Sequence, residues 1–174
     1  MTRARAWLTS VLRCRRGSAA VEMALITPIF LTLALGAVDL GNYFLSEHAV
    51  IVAVRDGARY AARRDFTQFT CSTVSTDVRD KTRNLVRTNS LDGTGTMRLN
   101  GWSDGAATIT VAASCNTTPT SVGAYGGIYT GVTGGVPIVT VTASVDYTSL
   151  FSSFGITLTT IKLHAVAKAP VVGA

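Results

Sequence analysis

Twenty consecutive residues, Ala19–Val38 (AAVEMALITPIFLTLALGAV), carry one charge, Glu22, and this run restricts the chain more than any other feature. As an α-helix it rises about 30 Å, the thickness of a bilayer's hydrocarbon core. Arg3, Arg5, Arg13, Arg15 and Arg16 precede it with no acid among them, and no Lys or Arg follows until Arg55. A buried core helix seldom has a purely basic flank on one side. The positive-inside rule predicts a cytoplasmic N-terminus and an exported remainder. The competing reading is a cleaved secretory signal, with Ala34 and Gly36 before a cut at Ala37. Against it, Glu22 falls inside what would be the apolar h-region, and helical patterning continues past that cut.

A length of 174 residues suits one modest domain beside the membrane segment, and no internal repeat argues for more. The net charge of +6 looks like a nucleic-acid signal until it is located. Five of the 16 Lys and Arg lie before residue 17, which leaves 11 against 10 Asp and Glu, a net of +1. A near-neutral body without a basic stripe gains little counterion-release energy, so no nucleic-acid partner is expected.

Leu40–Arg64 continues as a helix, with Leu40, Phe44, Ile51, Val54, Ala58 and Ala61 on alternating steps and Glu47 as an interruption. Residues 19–64 would form one helical rod of about 70 Å. Its apolar stripe must pack on its own C-terminal domain or on neighbouring rods. Arg55, Arg59 and Arg63 repeat at four-residue steps, a like-charge row that costs a few tenths of a kcal/mol per pair. Two readings stay open: relief by Asp56 and Asp65, or an acidic surface on a partner.

Ser72–Asn89 reads as a second helix, with Val74, Val78, Leu85 and Val86 on one side and Asp77 and Asp80 in its first turn. Thr96–Trp102, Ala107–Ser114, Pro137–Tyr147 and Ile156–Lys168 alternate with period two and predict roughly four antiparallel strands. Asn100-Gly101 and Asp104-Gly105 supply turns. The expected fold is α+β, with the sheet packed on the helices. The Thr/Gly-rich stretch Asn116–Gly135 reads as a mobile surface loop, with adhesion through Tyr125 and Tyr129 as the less favoured alternative. In Thr148–Gly155, Leu150, Phe151 and Phe154 are expected in the core.

Cys14 lies in the basic leader, which leaves Cys71 and Cys115 as a pair in the exported, oxidising compartment, where a disulfide is expected. His48 and His164 are isolated from other metal ligands, and the chain lacks Gly-x-Ser-x-Gly and Cys-x-x-Cys. Neither enzyme activity nor a cofactor nor a metal is expected.

The motif that speaks to function is Arg15-Arg16-Gly17-Ser18-Ala19-Ala20-Val21-Glu22: a basic leader ending in Gly17, small residues, then one glutamate at the head of an apolar helix. It resembles a type IV prepilin processing site. The resemblance implies a cut after Gly17 by an inner-membrane prepilin peptidase, with Ser18 as the new N-terminus and Glu22 as the fifth mature residue. The plain alternative is a boundary glutamate that stays protonated or snorkels.

VEMALITPIFLTLALG (Val21–Gly36), followed by AVRDGARYAAR (Ala53–Arg63), resembles the TadE-like family of tight-adherence pilus proteins. Val21-Glu22, Pro28 and the Arg55, Gly57, Arg59 group carry the resemblance, and Asp56 stands where Glu is also common. It covers Gly17–Arg64 and implies a minor pilin or pseudopilin of a Flp-type pilus. The implied divisions are a cleaved leader (1–17), a transmembrane helix (18–38) and an exported α+β domain (39–174). The implied location is the inner membrane, N-terminus cytoplasmic. The implied partners are the peptidase, the major pilin, other minor pilins, the inner-membrane assembly platform and the lipid bilayer. Glu22 is implied to act between subunits. The alternatives are an anchored periplasmic scaffold that is never processed and, from a different class, an anchored enzyme.

Overall fold

The computed structural model describes residues 17–100, 102, 108–116, 127–130, 135–151 and 161–173. The chain divides into two compact units, residues 1–41 and 42–174. A single helix, α1 (Ser18–Ala62, 45 residues), contributes to both and contains Pro28. In the first unit its apolar side chains have no cover. Val21, Leu25, Ile29, Phe30 and Leu33 are all more than 60% exposed.

The second unit begins with the Asn42–Ala62 part of α1. A 3-10 turn (Phe66–Gln68) and α2 (Thr76–Thr88) follow. Among the described residues the sheet has three antiparallel strands in the order β1 (Ile109–Asn116), β2 (Val136–Asp146), β3 (Lys162–Pro170). The register sets Ile109 opposite Ala143 and Ala143 opposite Ala165, and likewise Val111, Val141 and Ala167 in line. Because successive strand residues face opposite ways, this alignment gathers the apolar members on one face. Ile109, Val139, Val141 and Ala143 are fully buried there, in one core with Val50, Ala53, Val54, Ala58 and Ala61 of α1 and Val78 and Val86 of α2.

Small residues set how closely the helices approach. A Cβ at Gly57 would stand 3.3 Å from Thr82 Cγ2 and inside van der Waals contact of Val86 Cγ2, so only glycine lets α2 lie this near α1. Thr82, fully buried on α2, donates its hydroxyl to Val78 O at 2.6 Å and leaves no orphan polar group. Ser75 caps α2 by accepting from Val78 N, and Asn89 closes it in the left-handed conformation (φ 58°), donating its N–H to Leu85 O at 2.9 Å.

The expected strand over Thr96–Trp102 does not form: residues 96–100 and 102 are bends, turn and coil. Its alternation has another cause. Arg98 N donates to Arg87 O, laying this segment back over the end of α2, and Trp102 is 1% exposed with its indole N–H given to Thr108 Oγ1 at 2.9 Å. The second helix starts at Thr76 rather than Ser72, because Ser75 takes the capping position and Val74 bridges to Phe69. The last strand runs Lys162–Pro170; residues 156–160 of the expected Ile156–Lys168 strand lie outside the described residues, as does Phe154. The buried stripe of α1 begins at Val50, not Leu40; Leu40 and Phe44 are 55% and 57% exposed. Leu150, expected in the core, is exposed, and Phe151 is half-buried.

Cys71, in the bend before α2, is bridged to Cys115 near the end of β1, with their Cα atoms 4.8 Å apart and a sequence separation of 44. Such a loop closure contributes about 4 kcal/mol through the entropy of the unfolded chain. In exported protein denatured without reduction, alkylation is expected to label neither cysteine, and to label both once a reductant is added. Labelling of both before reduction would contradict the bridge.

Candidate functional site

The residues singled out by the processing-site resemblance lie together at the start of α1. Gly17 is exposed and Ser18 is the first helical residue. A Cβ on Gly17 would meet nothing within 4 Å, and its φ is not positive, so the fold makes no demand for glycine at this position. Glu22 stands four residues beyond Ser18, one helical turn or about 6 Å along the axis. It is exposed, and the first turn of α1 holds no acidic residue. Cys71 and Cys115 belong to the second unit and take no part in this junction.

Beyond Glu22 the helix is long and apolar enough to cross a membrane, with a mean hydropathy of 2.0 over its most apolar window and no burial of that window within the chain. Apolar side chains point outward all round the helix, which is the pattern of a segment enclosed by lipid or by other apolar helices. Its polar groups are self-contained. Thr27 Oγ1 donates to Met23 O at 2.6 Å, and Thr32 Oγ1 to Ile29 O at 2.8 Å. That is the arrangement required where no water is available to satisfy a hydroxyl. Pro28 removes one N–H from the ladder while the helix continues past it. Gly36 and Gly41 have open space where a Cβ would stand.

Two depressions of the second unit are lined by described residues. One, of about 400 Å³, is lined by Asn42, Leu99, Tyr147, Ser149 and Leu150, with Asn42 Nδ2 donating to Tyr147 Oη at 2.9 Å. The other, a shallower groove of about 480 Å³, is lined by His48, Ala49, Val52, Asp56, Asn89 and Arg98. His164 is exposed on the outer face of β3, opposite Ser144. Among the described residues, no three His, Cys, Asp or Glu side chains are placed to hold a metal ion. Tyr129 is half-buried and sets its ring edge-on against Phe66 at 5.9 Å, which gives it a packing role; Tyr125 lies outside the described residues.

The arginine row was visible in the sequence, but its surroundings were not. Arg55, Arg59 and Arg63 are exposed. Asp56 instead pairs with Arg98 at 3.1 Å, and Asp65 accepts the Thr67 N–H at 2.8 Å, which holds its carboxyl below the ordinary value. The proposed relief by Asp56 and Asp65 is therefore not what these carboxylates do.

Comparisons with curated proteins and with solved structures give no match. The model of the TadE-like protein family matches residues 17–59. The stretch that holds the Gly17 junction, the apolar helix and the Gly57 contact is thus a TadE-like segment.

Proposed function

We propose that this chain is a minor pilin or pseudopilin of a tight-adherence pilus. In this reading it is held in the inner membrane by α1 with its second unit exported, and a prepilin peptidase trims it after Gly17. The TadE-like family is pilus-associated, which supports the general theme. The observation that carries the specific reading is a helix apolar on all sides that starts at Gly17-Ser18 and holds one acid, Glu22, in its first 21 residues. Its partners are the major pilin, sibling minor pilins and the inner-membrane assembly platform.

Two physical points support the roles of the junction residues. Gly17 is not required by the fold, which leaves the position free to serve as the recognition residue of a protease. Cleavage then creates an α-amino group, positive at neutral pH, at the end of a helix whose dipole already disfavours positive charge. The first turn offers it no acid. Glu22 lies one turn along the same helix and reaches its own terminus poorly, whereas a neighbouring subunit displaced along the axis brings its amine level with this carboxylate. At low dielectric a matched pair is favourable and an unmatched charge is costly, so the pair sets the axial register of the assembly.

N-terminal sequencing of membrane-extracted protein is expected to begin at Ser18, and Gly17→Asp is expected to retain the leader. A start at Ala37 would instead indicate a secretory signal. An intact leader in a strain that carries the peptidase would leave an unprocessed anchor as the better account.

Glu22→Ala is expected to leave membrane insertion and most cleavage unchanged while lowering co-purification with other pilins and reducing piliation. Glu22→Gln should behave alike, since it keeps the shape and loses the charge. Normal assembly by both variants would reduce Glu22 to a tolerated boundary residue.

A further inference from the structure

On the solvent side of α1 in the second unit, Phe44, His48, Val52, Arg55 and Arg59 recur at steps of four, four, three and four residues, and Arg63 follows one residue past the helix. These positions fall within an arc of about 100°, one stripe running roughly 30 Å. The stripe is graded. Phe44 and Leu45 are 57% and 72% exposed at one end, and three exposed arginines occupy the other. The groove lined by His48, Ala49, Val52, Asp56, Asn89 and Arg98 opens alongside its middle. Among the described residues no carboxylate lies within ion-pair distance of Arg55, Arg59 or Arg63. The helix dipole accounts for Arg59 in the last turn, but its effect fades within that turn and does not reach Arg55.

We propose that this stripe docks an amphipathic helix of a different exported protein, one that is apolar opposite Phe44 and Leu45 and acidic opposite Arg55, Arg59 and Arg63. Heptad-like spacing presents a seam to another helix, and arginine forks match carboxylates in two-bonded pairs. A second copy of this chain is a poor occupant. Its Asp77, Asp80 and Asp146 are already paired with Lys81, Arg83 and Lys162, Asp65 and Asp92 accept hydrogen bonds from Thr67 and from Ser90 and Thr94, and α1 beyond Glu47 offers only Asp56, which is bound to Arg98. Anionic lipid favours cationic clusters immediately beside a membrane span. Here residues 39–54 contain Asp39 and Glu47 and no Lys or Arg. A polysaccharide would satisfy the arginines and leave the apolar end of the stripe uncovered.

The test places the photocrosslinking residue p-benzoylphenylalanine at Val52 of the full chain in membranes of the producing cell, and locates the adduct by mass spectrometry. The expected adduct is an acidic, helix-forming segment of another protein. The triple variant Arg55→Gln, Arg59→Gln, Arg63→Gln should lower its yield about tenfold, as three exposed ion pairs of ordinary strength would. Retention of the Cys71–Cys115 bridge serves as the folding control. Substituting Glu for the same three arginines should lower the yield further, and basic replacements in the partner segment should restore it. An adduct to lipid, to a second copy or to a non-acidic segment would overturn the proposal. So would a yield indifferent to the arginines, or no adduct at all. The inference holds whether or not Gly17 is cut, so its failure would leave the processing reading standing.

Discussion

The close approach of α2 to α1 at Gly57 is the contact on which the second unit depends. Along the buried face of α1, Val50, Ala53, Val54, Gly57, Ala58 and Ala61 are small or medium-sized, and α2 returns Thr82 and Val86 to them. Small side chains on one helix let the other sit near enough for both to join a core with the inner face of the sheet. That face supplies Ile109, Val139, Val141, Ala143 and Leu163, all at most 2% exposed. Burying each such side chain contributes roughly 1.5–3 kcal/mol, and only a tight fit retains that contribution. The Cys71–Cys115 bridge joins the segment before α2 to the end of β1, two elements that a long connection separates. Capping by Ser75 and Asn89 fixes where α2 starts and stops, so Val78, Thr82 and Val86 meet α1 in register.

The same helix obeys two different solvents. From Asn42 onward it has one buried face and one exposed face, as expected beside water. Over residues 18–38 it is apolar all round, its threonine hydroxyls are satisfied by its own carbonyls, and it carries one acid, Glu22, with Asp39 just beyond. A helix of this composition is the kind that lipid or other apolar helices enclose. Within such surroundings an ionised carboxylate is expensive unless it is protonated, snorkels to the boundary or meets an opposite charge. Under the proposed function, cleavage after Gly17 is what supplies Glu22 with a positive charge, on a neighbouring subunit.

Much of this was legible in the sequence because it rests on composition and period. The apolar run, the exclusively basic leader and the alternation of β1 and β2 each reflect a local rule. The Cys71–Cys115 pairing follows from compartment and count. What was not legible depended on long-range contacts. Thr96–Trp102 alternates as a strand does, yet Arg98 is drawn to Arg87 O and to Asp56, and Trp102 to Thr108. Leu40 and Phe44 continue the apolar stripe on paper, but both are exposed and the buried stripe begins at Val50. The isolation of Arg55, Arg59 and Arg63 could not be read either, since it follows from Asp56 turning to Arg98 and Asp65 to Thr67.

The central claim is that α1 over residues 18–38 is enclosed in the membrane while residues 39–174 are exported. Single cysteines at Ile29, Leu33, Thr110 and Lys168, each in a Cys14→Ala background, test it by labelling intact spheroplasts with a membrane-impermeant maleimide. The account predicts labelling at Thr110 and Lys168, both exposed on the outer face of the sheet, and none at Ile29 or Leu33 before detergent is added. Labelling of Ile29 and Leu33 in intact spheroplasts, or of Thr110 and Lys168 only after lysis, would contradict it.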